Sequence, residues 1–176
     1  MPLYKKDPKL DISQKDVEQM LEMVHSKEHR IAIILLYLTG ARPSEILSLT
    51  KQDFIILENE LKIKIKTLKR GLDRTLIFDR LSTPFATELI AYVNNLARDK
   101  LFSFSSDARL RQIVYKASGN RFTPYTFRHN RHYKLAELGA TPYELMSWKG
   151  SRSMESVAPY VMKAGQMIEK LKDKIR

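Results

Sequence analysis

Two arginines and a tyrosine, far apart in the chain, are the residues of this sequence best suited to chemistry on a phosphodiester. Arg42 lies in Thr39-Gly40-Ala41-Arg42-Pro43-Ser44-Glu45, Arg128 lies in Tyr125-Thr126-Phe127-Arg128-His129, and Tyr160 follows Arg128 by 32 residues. A guanidinium is planar, stays charged and presents a fixed fork of N–H donors, so two of them can grip one phosphate at several oxygens. A phenol beside them can act as a nucleophile and form a covalent intermediate, which divides one hard displacement into two. The three residue types together point to a DNA strand-transfer site.

Such a site exists only if the intervening elements carry the three side chains to one place. Ser13 followed by Asp16 is a helix-start pattern, and Val17, Met20, Leu21 and Val24 then recur at helical spacing. Residues 27–38 are apolar on nearly every face after Arg30, which predicts a buried central helix stopping near Gly40. Pro43 suits a first helical position, so residues 43–49 are expected as a short helix, with Arg42 in the sharp corner before it. From residue 54 the period changes to two: 54–57, a turn at 58–60, then Leu61, Ile63 and Ile65 alternating with Lys62, Lys64 and Lys66. Residues 74–78 complete a three-stranded meander across a turn containing Gly71, with one aliphatic face and one lysine-rich face. Helices are expected over 84–97, 106–118, 124–138 and 142–149, the last two opened by the cap-then-proline pairs Thr123-Pro124 and Thr141-Pro142. A tail helix is expected over 163–175. The fold class is therefore mostly α with a small antiparallel β-sheet, in a single domain spanning residues 1–176.

Composition agrees with a folded chain. Hydrophobic residues make up 43% of 176 and charged residues 29%, which excludes a disordered tail protein. The longest apolar run, residues 31–38, is too short to cross a bilayer, the first residues lack a signal-peptide pattern, and there is no cysteine, so a cell interior is the expected location. The net charge is +11, and it is concentrated: residues 61–74 carry +5 and residues 109–134 carry +7. Concentrated positive charge is the footprint of a nucleic-acid partner. Within these segments Lys62, Lys64, Lys66, Arg70 and Arg121 are the expected contacts to double-stranded DNA. His25 and His29 are spaced as two ligands on a helix face would be, but with no third ligand at matching spacing they are not assigned to a metal.

The residues in hand resemble the catalytic domain of the tyrosine recombinase/phage integrase family, over about residues 31–162. The stretch from Thr39 to Leu49 is similar to the family's first arginine box, and Thr123 to His129 to its second, with Arg128 at the second arginine. From Gly139 the spacing runs without a gap to Tyr160 at the nucleophile position. The resemblance implies a site-specific recombinase or integrase in which the phenol attacks a DNA phosphate, releases a 5′-hydroxyl and leaves a 3′-phosphotyrosyl link. It implies no cofactor and no metal, because the two arginines supply the charge that Mg²⁺ supplies elsewhere. It also implies a general acid in the turn of the sheet: Lys69 is the first choice and Lys66 the second. Glu45 is expected to orient one of the arginines, although a plain structural bridge from Glu45 to Arg128 is the bland alternative. His129 is expected to pack behind Arg128.

Two positions depart from the family pattern. Tyr125 stands where histidine or lysine is usual; it can donate to a phosphate but cannot serve as an imidazole base. Ser151 stands where histidine or tryptophan is usual, with Trp148 and Lys149 as neighbouring substitutes. The departures resemble the divergent integrases of archaeal viruses and plasmids. They also leave open a catalytically impaired DNA-binding module of the same fold. A type IB topoisomerase-like enzyme or telomere resolvase is a second alternative, and a helical RNA-binding or scaffold protein a third. Only about 30 residues precede the core helix, so the family's amino-terminal DNA-clamp domain is expected to be absent. Residues 163–176 are expected either to pack on their own domain or to be exchanged in a four-subunit synapse on DNA.

Overall fold

The computed structural model describes residues 11–67 and 70–163. Helix α1 (Gln14–Glu22) opens as its caps require: the Asp16 N–H donates to the Ser13 hydroxyl at 3.1 Å, and the Ser13 N–H donates to the Asp16 carboxylate at 2.8 Å. Its apolar stripe of Val17, Met20 and Leu21 is buried. Helix α2 (Lys27–Thr39) is buried without interruption from Ile31 to Leu36 and is packed by the first helix and by four later ones. An apolar surface on every side can be satisfied only at the centre of the molecule.

The corner after α2 is built from local chemistry. The Thr39 hydroxyl donates back to the Leu35 carbonyl at 2.7 Å and accepts from the Ala41 N–H at 3.1 Å. Gly40 takes φ +61°, where a Cβ would also lie 2.7 Å from the Cβ of Arg131, so both backbone and neighbour require glycine. Helix α3 (Pro43–Leu47) then begins with Arg42 as its cap residue and Pro43 at its first position. It stops two residues short of the expected 49, because the Ser48 hydroxyl donates to the Glu45 carbonyl at 2.9 Å and competes with the next helical turn.

Strands β1 (Phe54–Ile56), β2 (Glu60–Ile65) and β3 (Arg74–Asp79) form an antiparallel sheet in chain order, with Phe54 opposite Ile63 and Ile63 opposite Leu76. Leu61, Ile63 and Ile65 point into the core while Lys64 is exposed and Lys62 half-buried, as the period of two requires. Helix α4 (Ala86–Asn94) is shorter than the expected 84–97. Phe85 adopts φ +63° with its ring edge-on to Tyr37, so Pro84 stands outside the helix, and Asn95 closes the other end by donating from its side chain to Ala91.

Helices α5 (Asp107–Ala117), α6 (Pro124–Glu137) and α7 (Pro142–Lys149) follow the expected caps, with Thr123 and Thr141 as cap residues and Pro124 and Pro142 at first positions. A short helix not expected from the sequence, α8 (Ala158–Lys163), contains Tyr160. It packs on α6 and joins a second, smaller core of Tyr133, Ala136, Leu145, Val157 and Tyr160. The expected tail helix lies, beyond residue 163, outside the described residues. Among those residues no helix is long and apolar enough to cross a membrane.

Candidate active site

Arg42, Arg128 and Tyr160 share one electrostatic neighbourhood, and each is carried there by a different element. The Glu45 carboxylate, 1% exposed, accepts the Arg42 N–H at 2.8 Å and lies 3.3 Å from an Arg42 guanidinium nitrogen, which fixes the exit of that side chain from the corner. The same carboxylate pairs at 3.1 Å on both oxygens with Arg74, whose side chain is 6% exposed and whose Nε donates to the Trp148 carbonyl at 2.6 Å. Burial pushes the Glu45 carboxyl up, but the hydrogen bonds and charge of Arg74, the Arg42 N–H and the charge of Arg128 outweigh it and hold the group below its ordinary value. Glu45 therefore contacts both Arg42 and Arg74. The alternative bridge to Arg128 is replaced by one to Arg74, at the start of β3.

Arg128 is in the second turn of α6 and is buried. One guanidinium nitrogen donates to the Gly40 carbonyl at 2.9 Å, tying α6 to the corner. Its other terminal nitrogen is buried with no hydrogen-bond partner among the described residues. Burial, then the charge of Arg42, lower its pKa to about 10, with Glu45 opposing and Arg74 adding to the fall. It stays charged at neutral pH. A buried cation with an unmet donor, repelled by other cations, is stabilised by an incoming anion.

Tyr160 is 5% exposed and its ring packs against His132 and Tyr133, with ring centroids at 5.2 and 4.8 Å. Its phenol oxygen lies 2.9 Å from His129 Nδ1. His129 is thus directly at the phenol, a correction to the expectation that it only packs behind Arg128. The reason is helical geometry: His129, His132 and Tyr133 lie three and four residues apart and form one face of α6, on which α8 lays the tyrosine. Burial raises the phenol to a pKa of about 12; the charge of Arg128 opposes this and Tyr133 adds to it.

A cleft of about 680 Å³ opens beside these groups, lined by Arg42, Arg70, Gly71, Gly150, Ser151, Arg152 and Ser153. Gly150, at φ +71°, closes α7 and accepts the Leu72 N–H at 3.0 Å, so the β2–β3 connection lies on the end of that helix. Ser151 lines this cleft and its hydroxyl is engaged locally: it lies 2.6 Å from that of Ser156 and 3.3 Å from the Ser153 carbonyl, and it accepts the Ser153 N–H. Tyr125 is 47% exposed on the first turn of α6. Lys69 lies outside the described residues. Lys66 is paired with Asp53 at 3.3 Å, and Lys62 with Glu60 at 3.4 Å. Arg121 donates to the Ser118 carbonyl, sits 3.4 Å from Asp16 and covers the Phe122 ring, away from the cleft-lining residues. Among the described residues no group of three His, Asp or Glu side chains is placed to hold a metal.

Arg74 and Lys149 belong to this cluster and were not assigned to it from the sequence. Arg74 had a signal, as the basic residue opening the third strand; Lys149 was named only as a neighbouring substitute two residues before Ser151. Arg42, Arg74 and Arg128 gather around the buried Glu45 carboxylate, and Lys149 adds a fourth cation that feels the charges of Arg128 and Arg42. Such an excess of positive charge suits the binding of an anion.

Known proteins share this fold. The family model for the phage integrase family matches residues 11–167. Transposase A from transposon Tn554 of Staphylococcus aureus is 24% identical over 149 residues, covering 73% of this chain and 41% of the transposase. Among solved structures, XerH site-specific recombinase bound to palindromic difH substrate in a post-cleavage complex superposes with a TM-score of 0.71 at 18% identity, over 92% of this chain and 52% of XerH. XerA recombinase gives 0.70 at 16% identity, over 92% of this chain and 62% of its own. The catalytic domain of bacteriophage HP1 integrase gives 0.64 at 19%, over 93% of both chains. The chain spans about two fifths of the length of the curated relatives it matches.

Proposed function

This chain belongs to the phage integrase family, and on that premise we propose that it breaks and rejoins double-stranded DNA through a covalent link to Tyr160. The observation that carries the reading is that Arg128 feels the charges of both Arg42 and Tyr160 beside a cleft that Arg42 lines, with a buried Arg128 nitrogen unpartnered among the described residues. In the forward step the phenol oxygen bonds to phosphorus and the bond to the 5′ oxygen breaks. The phenol proton passes to His129 Nδ1, its neighbour at 2.9 Å, and the leaving oxygen takes a proton from a lysine of the β2–β3 turn, Lys69 first and Lys66 second. Arg42 and Arg128 hold the non-bridging oxygens while charge builds on them. Religation by another 5′-hydroxyl reverses the step, so the bond is conserved and no nucleotide cofactor enters.

Binding rests on phosphate contacts by Lys62, Lys64, Lys66 and Arg70 on the exposed side of the sheet and its turn, with Arg121 released from Asp16. Affinity then falls steeply between low and physiological salt, as counterion release dictates. Assembly on DNA as a tetramer is part of the same proposal and rests on the family resemblance alone.

The test is a duplex nicked beside the scissile phosphate, so that the released strand diffuses away and the adduct accumulates. Wild-type protein is expected to form a denaturation-resistant protein–DNA species that Tyr160→Phe does not form. Arg128→Ala should slow its appearance by about 10² to 10³-fold, the loss seen when one anion-hole donor is removed. An adduct that survives Tyr160→Phe removes the assignment of the nucleophile; no adduct with any substrate removes the strand-transfer reading in favour of a DNA-binding module.

A further inference from the structure

Lys149 is one of the two neighbours of Ser151 that the sequence offers as substitutes at the departed histidine or tryptophan position, and the structure separates it from the other, Trp148. The position of Lys149 is set by the last turn of α7 and by Gly150, which turns the chain away immediately after it. The ammonium lies 5.4 Å from the centre of the Tyr160 ring and donates to the Ser156 carbonyl at 2.7 Å. Among the described residues that carbonyl is the hydrogen-bond partner shown for it, and an ammonium carries three donors. Its neighbours are committed elsewhere. Trp148 donates from its indole to the Thr39 carbonyl at 2.8 Å and packs edge-on to Phe78, so it pins α7 to the corner. The Ser151 hydroxyl is closed on Ser153 and Ser156.

We propose that Lys149 is a catalytic residue of the Tyr160 reaction, its ammonium donating to a non-bridging oxygen of the phosphate as charge builds there in the transition state. The assignment rests on the strand-transfer reading above. As Tyr160 Oη bonds to phosphorus and the 5′ oxygen leaves, Lys149 keeps all its protons; it contributes charge and a hydrogen bond, and the acid at the sheet turn supplies the proton. A flexible four-carbon stem allows the ammonium to leave the Ser156 carbonyl for the phosphate without moving the helix. Burial, then the charges of Arg128 and Arg42, lower its pKa to about 8 in the free protein. A cation held at that cost beside two others is stabilised when a phosphate enters.

The sign of the pH dependence follows. Lys149 is charged and active below pH 8 and neutral above it, so cleavage measured below saturation, which reports the free enzyme, loses this contribution as pH rises through about 8. Lys149→Arg keeps the charge at every accessible pH. Single-turnover adduct formation on the nicked duplex is compared for wild type, Lys149→Met, Lys149→Arg and Tyr160→Phe from pH 6 to 10. The expected result is a fall of about 10²-fold for the methionine variant at pH 7 and loss of the alkaline limb near pH 8 in the arginine variant. A methionine variant within threefold of wild type overturns the assignment. So does an arginine variant that keeps the limb, and this readout stands even if the methionine variant fails to fold. A wild-type protein that forms no adduct ends the strand-transfer reading and the Lys149 assignment with it, whereas an active wild type with unaffected Lys149 variants ends only the latter.

Discussion

Replacing Glu45 by glutamine tests whether one buried carboxylate organises this site. The glutamine is nearly the same size, so the change removes charge and one acceptor oxygen without making a cavity. In the native protein both Glu45 oxygens are occupied: Arg74 pairs with them at 3.1 Å each, and Arg42 adds its N–H at 2.8 Å and a guanidinium nitrogen at 3.3 Å. Arg74, 6% exposed, cannot turn to water when its partner loses its charge. Breaking such a buried pair costs about 3 to 5 kcal/mol, most of it the uncompensated charge left behind. At roughly 2 to 4 °C per kcal/mol for a chain of this size, Glu45→Gln should lower the melting temperature by about 6 to 20 °C. Replacing Arg74 by methionine in the same protein removes the stranded charge, so the double variant should be more stable than the sum of the two single losses, by about 1 to 3 kcal/mol. The pH arm has a definite sign. The Glu45 carboxyl is held below its ordinary value, so its contribution is full above the unfolded-state carboxyl pKa and disappears as pH falls through the folded-state value. The gap between wild type and Glu45→Gln should therefore narrow in acid. Denaturant melts followed by circular dichroism measure all of this. A Glu45→Gln protein melting within about 2 °C of wild type, or strictly additive single losses, would show that the carboxylate is not the organising charge.

Gly40→Ala forces a Cβ into a left-handed backbone, at about 1 to 2 kcal/mol, and to within 2.7 Å of the Arg131 Cβ, which overpacking experience puts at about 1 to 3 kcal/mol more; a loss under about 0.5 kcal/mol in urea denaturation contradicts that account. His132 is buried with both ring nitrogens unpartnered among the described residues, and burial followed by the charges of Arg128 and Lys149 holds its pKa well below 6.5. The unfolded chain binds this proton below about pH 6.5 and the folded chain does not, so stability drains by up to about 1.4 kcal/mol per pH unit as acid is added. In His132→Phe the slope of stability against pH between 7 and 5 should be correspondingly shallower; an unchanged slope rejects the buried neutral histidine.

The local parts of this structure were legible in the residues alone. Ser13 with Asp16, Thr123 with Pro124 and Thr141 with Pro142 mark helix starts because a cap satisfies orphan N–H groups within one turn of chain. The alternation from Leu61 to Ile65 marks a half-buried strand because successive side chains face opposite ways. Arg42, Arg128 and Tyr160 were legible by type and spacing, although their meeting was an expectation. What needed three dimensions were the partners: Arg74 crossing to Glu45, Lys149 beside the Tyr160 ring, and His129 at the phenol. Each contact joins different elements, and each depends on burial, which raises or lowers the energy of a charge according to its neighbours in space. Caps and periodicity act within a few residues along the chain, whereas the charge state and orientation of a buried group are settled by whatever the folded chain brings within a few ångströms of it.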